Sequence, residues 1–265
     1  MDIATLIGLF LGFGAVIGGQ VLEGGHITAL IQPTAALIVL GGTCGATCVS
    51  FPLQDVRQAM QDARKALFPP EEDLEHLIRR LIGFSVKARR DGLLALERDL
   101  QLIRGNPDDH FLAQGVELLV DGVDVQEFRE IMEIDLATFE ERNKASAELF
   151  EAAGGFAPTI GIIGAVLGLI HVMNNLADTA SLGKGIAVAF VATIYGLMTA
   201  NIICIPLGTK LKKRLKEQML QREIIIDGLL AIQRGENHRM IEKRLRGFLP
   251  GGMSSAPPSE SGGGV

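Results

Sequence analysis

Tryptophan is missing from this sequence, tyrosine occurs once, at Tyr195, and cysteine occurs three times, at Cys44, Cys48 and Cys204. A surface that binds nucleic acid favours a basic charge and stacking aromatics; here the formal charge is -6 and the pI is near 5.4, so that class is excluded. All three cysteines lie inside apolar runs, where they form neither a disulfide framework nor a zinc knuckle and read as small packed residues. Phosphate loops, His/Cys metal clusters and nucleophile–base pairs are also lacking, which argues against an enzyme and implies no cofactor and no bound metal. The most informative absence is that of charge. Asp, Glu, Lys and Arg are missing from four windows, near 3–22, 31–51, 154–176 and 185–207, in a chain of mean hydropathy +0.29.

About twenty charge-free residues cross hydrocarbon as a helix, so each window predicts one span. The first lacks a basic leader and a small-residue cleavage site and reads as a retained span. The links "EGGHIT" and "NNLADTASLGKG" are short, so the spans pair as two hairpins, residues 1–51 and 151–208. The hundred residues between the hairpins are rich in Lys and Arg, and "KLKKRLK" follows the fourth span; by the positive-inside rule these segments and both termini are cytoplasmic. The expected organisation is therefore an all-α, polytopic membrane protein with a helical cytoplasmic domain at 52–150, a helical tail at 209–249 and a disordered end at 250–265. Within the cytoplasmic part, Val56, Met60, Ala63 and Leu67 share a face, and Pro69-Pro70 stops that helix. Asp91-Gly92 breaks the next helix, "RGNPDD" is a turn, and a polar helix from about Val125 to Phe150 runs into the third span. The tail forms two helices around Gly235-Glu236-Asn237.

The third and fourth spans are built from small residues. Ala157, Gly161, Gly164, Ala165 and Gly168 fall at helical spacing, and Gly185, Ala189, Ala192, Thr193, Gly196, Thr199 and Ala200 repeat the pattern. Hydrocarbon does not drive apolar helices together, so such stripes serve close backbone approach. Periodicity alone leaves open whether they pack within one subunit, form an interface between subunits, or line a foreign helix. Pro158 opens the third span, where proline is tolerated, and Pro206 ends the fourth; each removes a backbone donor. Polar side chains in the spans are few, among them Thr43, Thr47, Thr159, Thr193, Tyr195, Thr199 and Asn201, and His171 lies near the outer end. Moving an ion through hydrocarbon calls for an ionisable group at depth, and no carboxylate is present in these spans. If the protein conducts ions, a second chain must bring the carboxylate.

These features together resemble the flagellar-motor stator A subunits (MotA/PomA type) of the MotA/TolQ/ExbB proton-channel family. The resemblance is carried by "GGFAPTIGIIGAVLGLIHVMNNLADTASLGKGIAVAFVATIYGLMTANIICIPLGTKLKKR", with its A-P, G-x-I-G-x-x-x-G-L and A-x-A-x-x-x-T-x-x-G runs, by "ARRDGLLALERD" and, more weakly, by the tail. Thr179 departs from the pattern, standing where many members have proline. The resemblance implies five A subunits around two B subunits, each B bringing a membrane helix with an essential aspartate and a peptidoglycan-binding domain. It implies an ion pathway along Pro158, Ala165, Ala192, Thr193, Tyr195 and Pro206, and a packing stripe of Gly161, Gly164, Gly168, Gly185, Ala189 and Gly196. Arg89 and Glu97, assisted by Arg90, would engage the rotor protein FliG. Sodium needs several oxygen ligands after dehydration; Ala165 and Ala192-Thr193 offer few oxygens, which favours proton over sodium coupling. Rival readings are an ExbB/TolQ-like energiser of outer-membrane processes, whose members have a three-span plan, and a non-conducting scaffold.

Overall fold

The structure, a computed structural model, describes residues 3–67, 73–106, 109–174 and 179–249. The Pro69-Pro70 stop, the centre of the "RGNPDD" turn, the start of the outer link and the end at 250–265 lie outside these residues. Among the described residues every regular element is helical. In order they are α1 (Ile3–Leu22), α2 (Ile27–Ser50), α3 (Leu53–Leu67), α4 (Leu74–Asp91), α5 (Glu97–Ile103), α6 (His110–Val120), α7 (Val125–Asn174), α8 (Thr179–Met198), α9 (Ile205–Gln233) and α10 (His238–Arg246). A 3-10 turn, Leu93–Leu96, precedes α5, and a π-helical stretch, Thr199–Cys204, joins α8 to α9. Four helices are long and apolar enough to cross a membrane: α1, α2, α7 and the continuous helical stretch that contains α8 and α9. The protein is a multi-pass membrane protein.

Packing divides the chain into two units, residues 1–70 with 141–215, and residues 71–140 with 216–265. These cuts follow contacts between helices, whereas the sequence segmentation at 51, 150 and 208 follows the expected membrane boundary. Helix α7 is unbroken, with residues 125–140 in one unit and 141–174 in the other, so Pro158 sits in a helix interior and not at the first turn expected of it, because the polar helix that begins at Val125 continues through it into the span.

In the first unit α1 buries no residue, as expected of a helix solvated by lipid on most sides. Helix α3 differs from its expected orientation: Met60 is 63% exposed, and the buried face is Ala59, Ala63 and Ala66. The reason is close approach. Ala66 packs with Ala147 of α7 and Leu211 of α9, Ser146 Oγ donates to Asp62 at 2.7 Å, and Arg214 donates to the Lys65 carbonyl at 2.6 Å. Alanine lets the three backbones draw together where methionine would hold them apart.

The second unit is a soluble-type bundle with one core. Leu81 of α4, Leu96, Leu112 and Leu119 of α6, Phe128 and Met132 of α7, Leu229 of α9, and Ile241 and Leu245 of α10 are almost fully buried. Gly115 is the tight point of this core: a Cβ there would fall 2.4 Å from Leu229 Cδ1 and 3.2 Å from Met132 Cε. Asp73 caps α4 by accepting from the His76 N–H, and Asn237 caps α10 by accepting from the Arg239 N–H, each at 3.0 Å. Arg222 of α9 lies between two rings, 4.4 Å from the centre of Phe111 and 3.6 Å from that of Phe139, and pairs with Asp135 at 3.5 Å. Burial lowers its pKa and Asp135 partly restores it, so the guanidinium stays charged inside an aromatic clamp.

Candidate functional site

The small-residue stripes of α7 and α8 face each other within one chain. A Cβ on Gly161 would lie 3.0 Å from the Ala192 carbonyl oxygen and 3.3 Å from Gly196 Cα. One on Gly164 would lie 2.8 Å from Ala192 Cβ, one on Gly168 2.9 Å from the Ala189 nitrogen, and one on Gly196 2.6 Å from the Ala157 carbonyl oxygen. Gly185 closes the outer end, where a Cβ would meet Val172 at 2.6 Å. The seam is therefore backbone against backbone, which gains dispersion that larger side chains would forfeit. Of the arrangements that periodicity left open, packing within one subunit is the one that uses these glycines. Each of them meets the facing helix of the same chain.

The six ion-pathway candidates separate into different environments. Ala192 is fully buried, packed with Ala35 and Val39 of α2, and so faces no open path. Pro158, Ala165 and Thr193 are half-buried. Pro158 and Ala165 are seven residues apart and share a helix face, and both Pro158 and Thr193 bring their Cα atoms to the glycine seam. Thr193 Oγ1 donates to the Ala189 carbonyl of its own helix at 3.4 Å. Tyr195 is not brought to this edge, because two residues along a helix turn it about 200° from Thr193. Its hydroxyl donates to the Leu30 carbonyl at 2.5 Å and accepts from the Gln32 N–H at 3.4 Å. These are the backbone groups that α2 leaves unpaired before Pro33, so Tyr195 fastens α8 to α2. Pro206 is exposed at the start of α9. It cannot donate to the Ile202 carbonyl, and the π-helical stretch Thr199–Cys204 lies immediately before it. A second π-helical stretch, Leu37–Gly41, interrupts α2. Sequence reasoning missed both; only the first carries a signal, the late proline.

The charged candidates flank one turn in the second unit. Gly92, at φ 83° and ψ 165°, ends α4 in a conformation reserved for glycine. Lys87 and Asp99, paired at 2.5 Å, tie the two sides of that turn together. Arg90 is occupied: it bonds Asp91 at 2.8 Å, which raises the arginine pKa and lowers that of the carboxyl. Arg89 and Glu97 are exposed, and among the described residues neither has an ion-pair or hydrogen-bond partner. The same holds for Arg98, and Leu94 between them is 71% exposed; sequence reasoning did not single out either residue. Among the described residues no three His, Cys, Asp or Glu side chains group to hold a metal.

Residues 104–224 match the model of the MotA/TolQ/ExbB proton channel family, and residues 6–92 match that of the motility protein A N-terminal region. Motility protein A of Bacillus subtilis (strain 168) is 37% identical over 252 residues, covering 94% of this chain and 92% of its own. The chain belongs to the MotA/TolQ/ExbB proton channel family. Chemotaxis protein PomA of Vibrio alginolyticus is 36% identical, covering 94% of this chain and 96% of its own. Among solved structures, C. jejuni MotAB superposes with a TM-score of 0.88 at 33% identity, over 94% of this chain and 96% of the other. The flagellar MotAB stator complex from Bacillus subtilis gives 0.83 at 37%, over 93% and 95%. This membrane protein is a stator A subunit of the flagellar motor, a torque-generating channel component and not an enzyme.

Proposed function

We propose that this stator subunit assembles with a B-type subunit, which supplies the membrane aspartate and a peptidoglycan anchor, and couples inward proton flow to torque for swimming. The observation that carries this reading is the absence of any carboxylate from four spans in a member of a channel family. A channel whose own walls hold no acid needs one from a partner helix. Pro158, Ala165 and Thr193, all half-buried, mark the part of the α7–α8 pair along which that helix passes. Proton coupling is favoured because Ala165 and Ala192 carry no side-chain oxygen, so that of these positions only Thr193 offers one to replace the hydration shell of sodium. Five A subunits surround two B subunits in the inner membrane, with both termini cytoplasmic and lipid around α1 and α2. Arg89 and Glu97, unpaired beside the Gly92 turn, engage the rotor protein FliG, and Arg90 assists once released from Asp91. The experiment is to restore swimming in a cell lacking its own A subunit. Swimming in sodium-free medium that stops with a protonophore supports the reading; swimming that requires sodium and survives the protonophore refutes proton coupling. Loss of motility on Arg89→Glu, with normal membrane insertion, supports the rotor assignment.

A further inference from the structure

A cavity of about 560 Å³ opens between α1, α2 and α8, and of the thirteen residues lining it only Tyr195 and Thr199 carry polar side-chain atoms. Phe13 and Ile17 form one wall, Leu30 and Leu40 a second, and Tyr195 and Met198 a third. The Tyr195 hydroxyl is already committed to the α2 backbone, so it offers a ligand its ring and little else. Water does not fill such a space, because a buried water needs two to four polar partners. A narrow apolar group suffices to fill about 560 Å³, and a helix of a second subunit laid over the opening is the alternative occupant, which bromolipid quenching distinguishes. The cavity lies in the unit that carries the apolar spans, where Gly12 of α1 approaches the bundle closely enough that a Cβ there would fall 3.2 Å from Ile202 Cγ2, and α1 itself buries no residue.

We infer that this cavity is a binding site for the acyl chain of a membrane lipid, which packs α1 against α2 and α8. An acyl chain is narrow, apolar and present at high concentration at that depth. It restores the dispersion contacts that the walls lack and asks for no hydrogen bond. The lipid thereby completes the attachment of α1. The inference depends on the membrane location of the unit and is independent of which ion the stator uses.

The chain has no tryptophan, so Phe13→Trp or Met198→Trp creates a lone fluorescent reporter on opposite walls, and Phe10→Trp, at a position 80% exposed on α1, is the bulk-lipid control. Each full-length variant is reconstituted into bilayers of phospholipid brominated on the acyl chain, then extracted and washed with lipid-free detergent. Residues 13 and 198 are expected to stay quenched after washing, while residue 10 recovers its full emission. Adding Ala36→Leu, which fills the cavity from α2, is expected to abolish the retained quenching. Recovery at 13 and 198 in step with residue 10 would overturn the inference. So would a failure of bromolipid to quench 13 and 198 at any stage, which would place protein in the cavity. Two reporters on separate helices keep the test decisive if one substitution impairs insertion.

Discussion

Replacing Gly196 with alanine tests whether the α7–α8 seam is as close as its geometry states. The new Cβ would lie 2.6 Å from the Ala157 carbonyl oxygen and 3.2 Å from the Cα atoms of Gly161 and Pro158. All three are backbone atoms of the facing helix, so no change of rotamer relieves them. Ordinary contact begins near 3.4 Å, and the helices must part by about 0.8 Å at the crossing. A gap of that size forfeits roughly a quarter to a half of the dispersion energy of each atom pair across it. Overpacking of this kind costs about 1–3 kcal/mol; the higher helix propensity of alanine returns about 1 kcal/mol, so the net loss against the native chain is about 0–2 kcal/mol and the loss against an alanine that meets no contact is the full ~1–3 kcal/mol. Gly155→Ala is the control, since no atom lies within 4 Å of its added methyl. The assay is reversible unfolding in mixed micelles titrated with a denaturing detergent, read by helicity and by resistance to proteolysis. Gly196→Ala unfolding at the same detergent fraction as Gly155→Ala would refute the seam.

Gly92→Ala forces a side chain into φ 83°, which costs about 1–3 kcal/mol and displaces Arg89 and Glu97; swimming should fall more than expression does, as measured by speed against membrane abundance. Arg222→Ala removes the guanidinium held between Phe111 and Phe139 and should destabilise the second unit by about 1–3 kcal/mol, seen as a lower thermal midpoint. Arg222→Lys should not restore it, because an ammonium does not stack between two rings. Tyr195→Phe strips one partner from the Leu30 carbonyl and one from the Gln32 N–H and should cost about 1–2 kcal/mol in the detergent titration.

Much of the membrane architecture is legible in the sequence because one physical rule, the exclusion of charge from hydrocarbon, marks every span. The break at Gly92 and the two tail helices around Gly235 are equally plain, since glycine is the residue that ends a helix at positive φ. The seam between α7 and α8 was visible as two stripes, yet small residues fit any close partner, and only three dimensions show that the glycines are used within one chain. The resemblance groups Tyr195 with Thr193 along the ion pathway; two residues of helix separate them by more than half a turn, and the backbone before Pro33 takes up the hydroxyl. The α3 face is not legible in the sequence because Met60 outweighs alanine in hydrophobicity, whereas the tight approach to Ala147 and Leu211 selects for size. The π-helical stretch in α2 has no sequence signal that we recognise.

A chain that builds a channel wall and leaves the ion-carrying acid to another subunit conducts nothing by itself. The direct measurement is proton flux into liposomes under an imposed potential, with a pH-sensitive dye inside, for the purified chain alone and for the chain with its B-type partner freed of any plug. The expected result is no flux above lipid leak for the chain alone, flux with the partner, and loss of that flux when the partner's membrane aspartate is replaced by asparagine. Proton flux through the chain alone would contradict it.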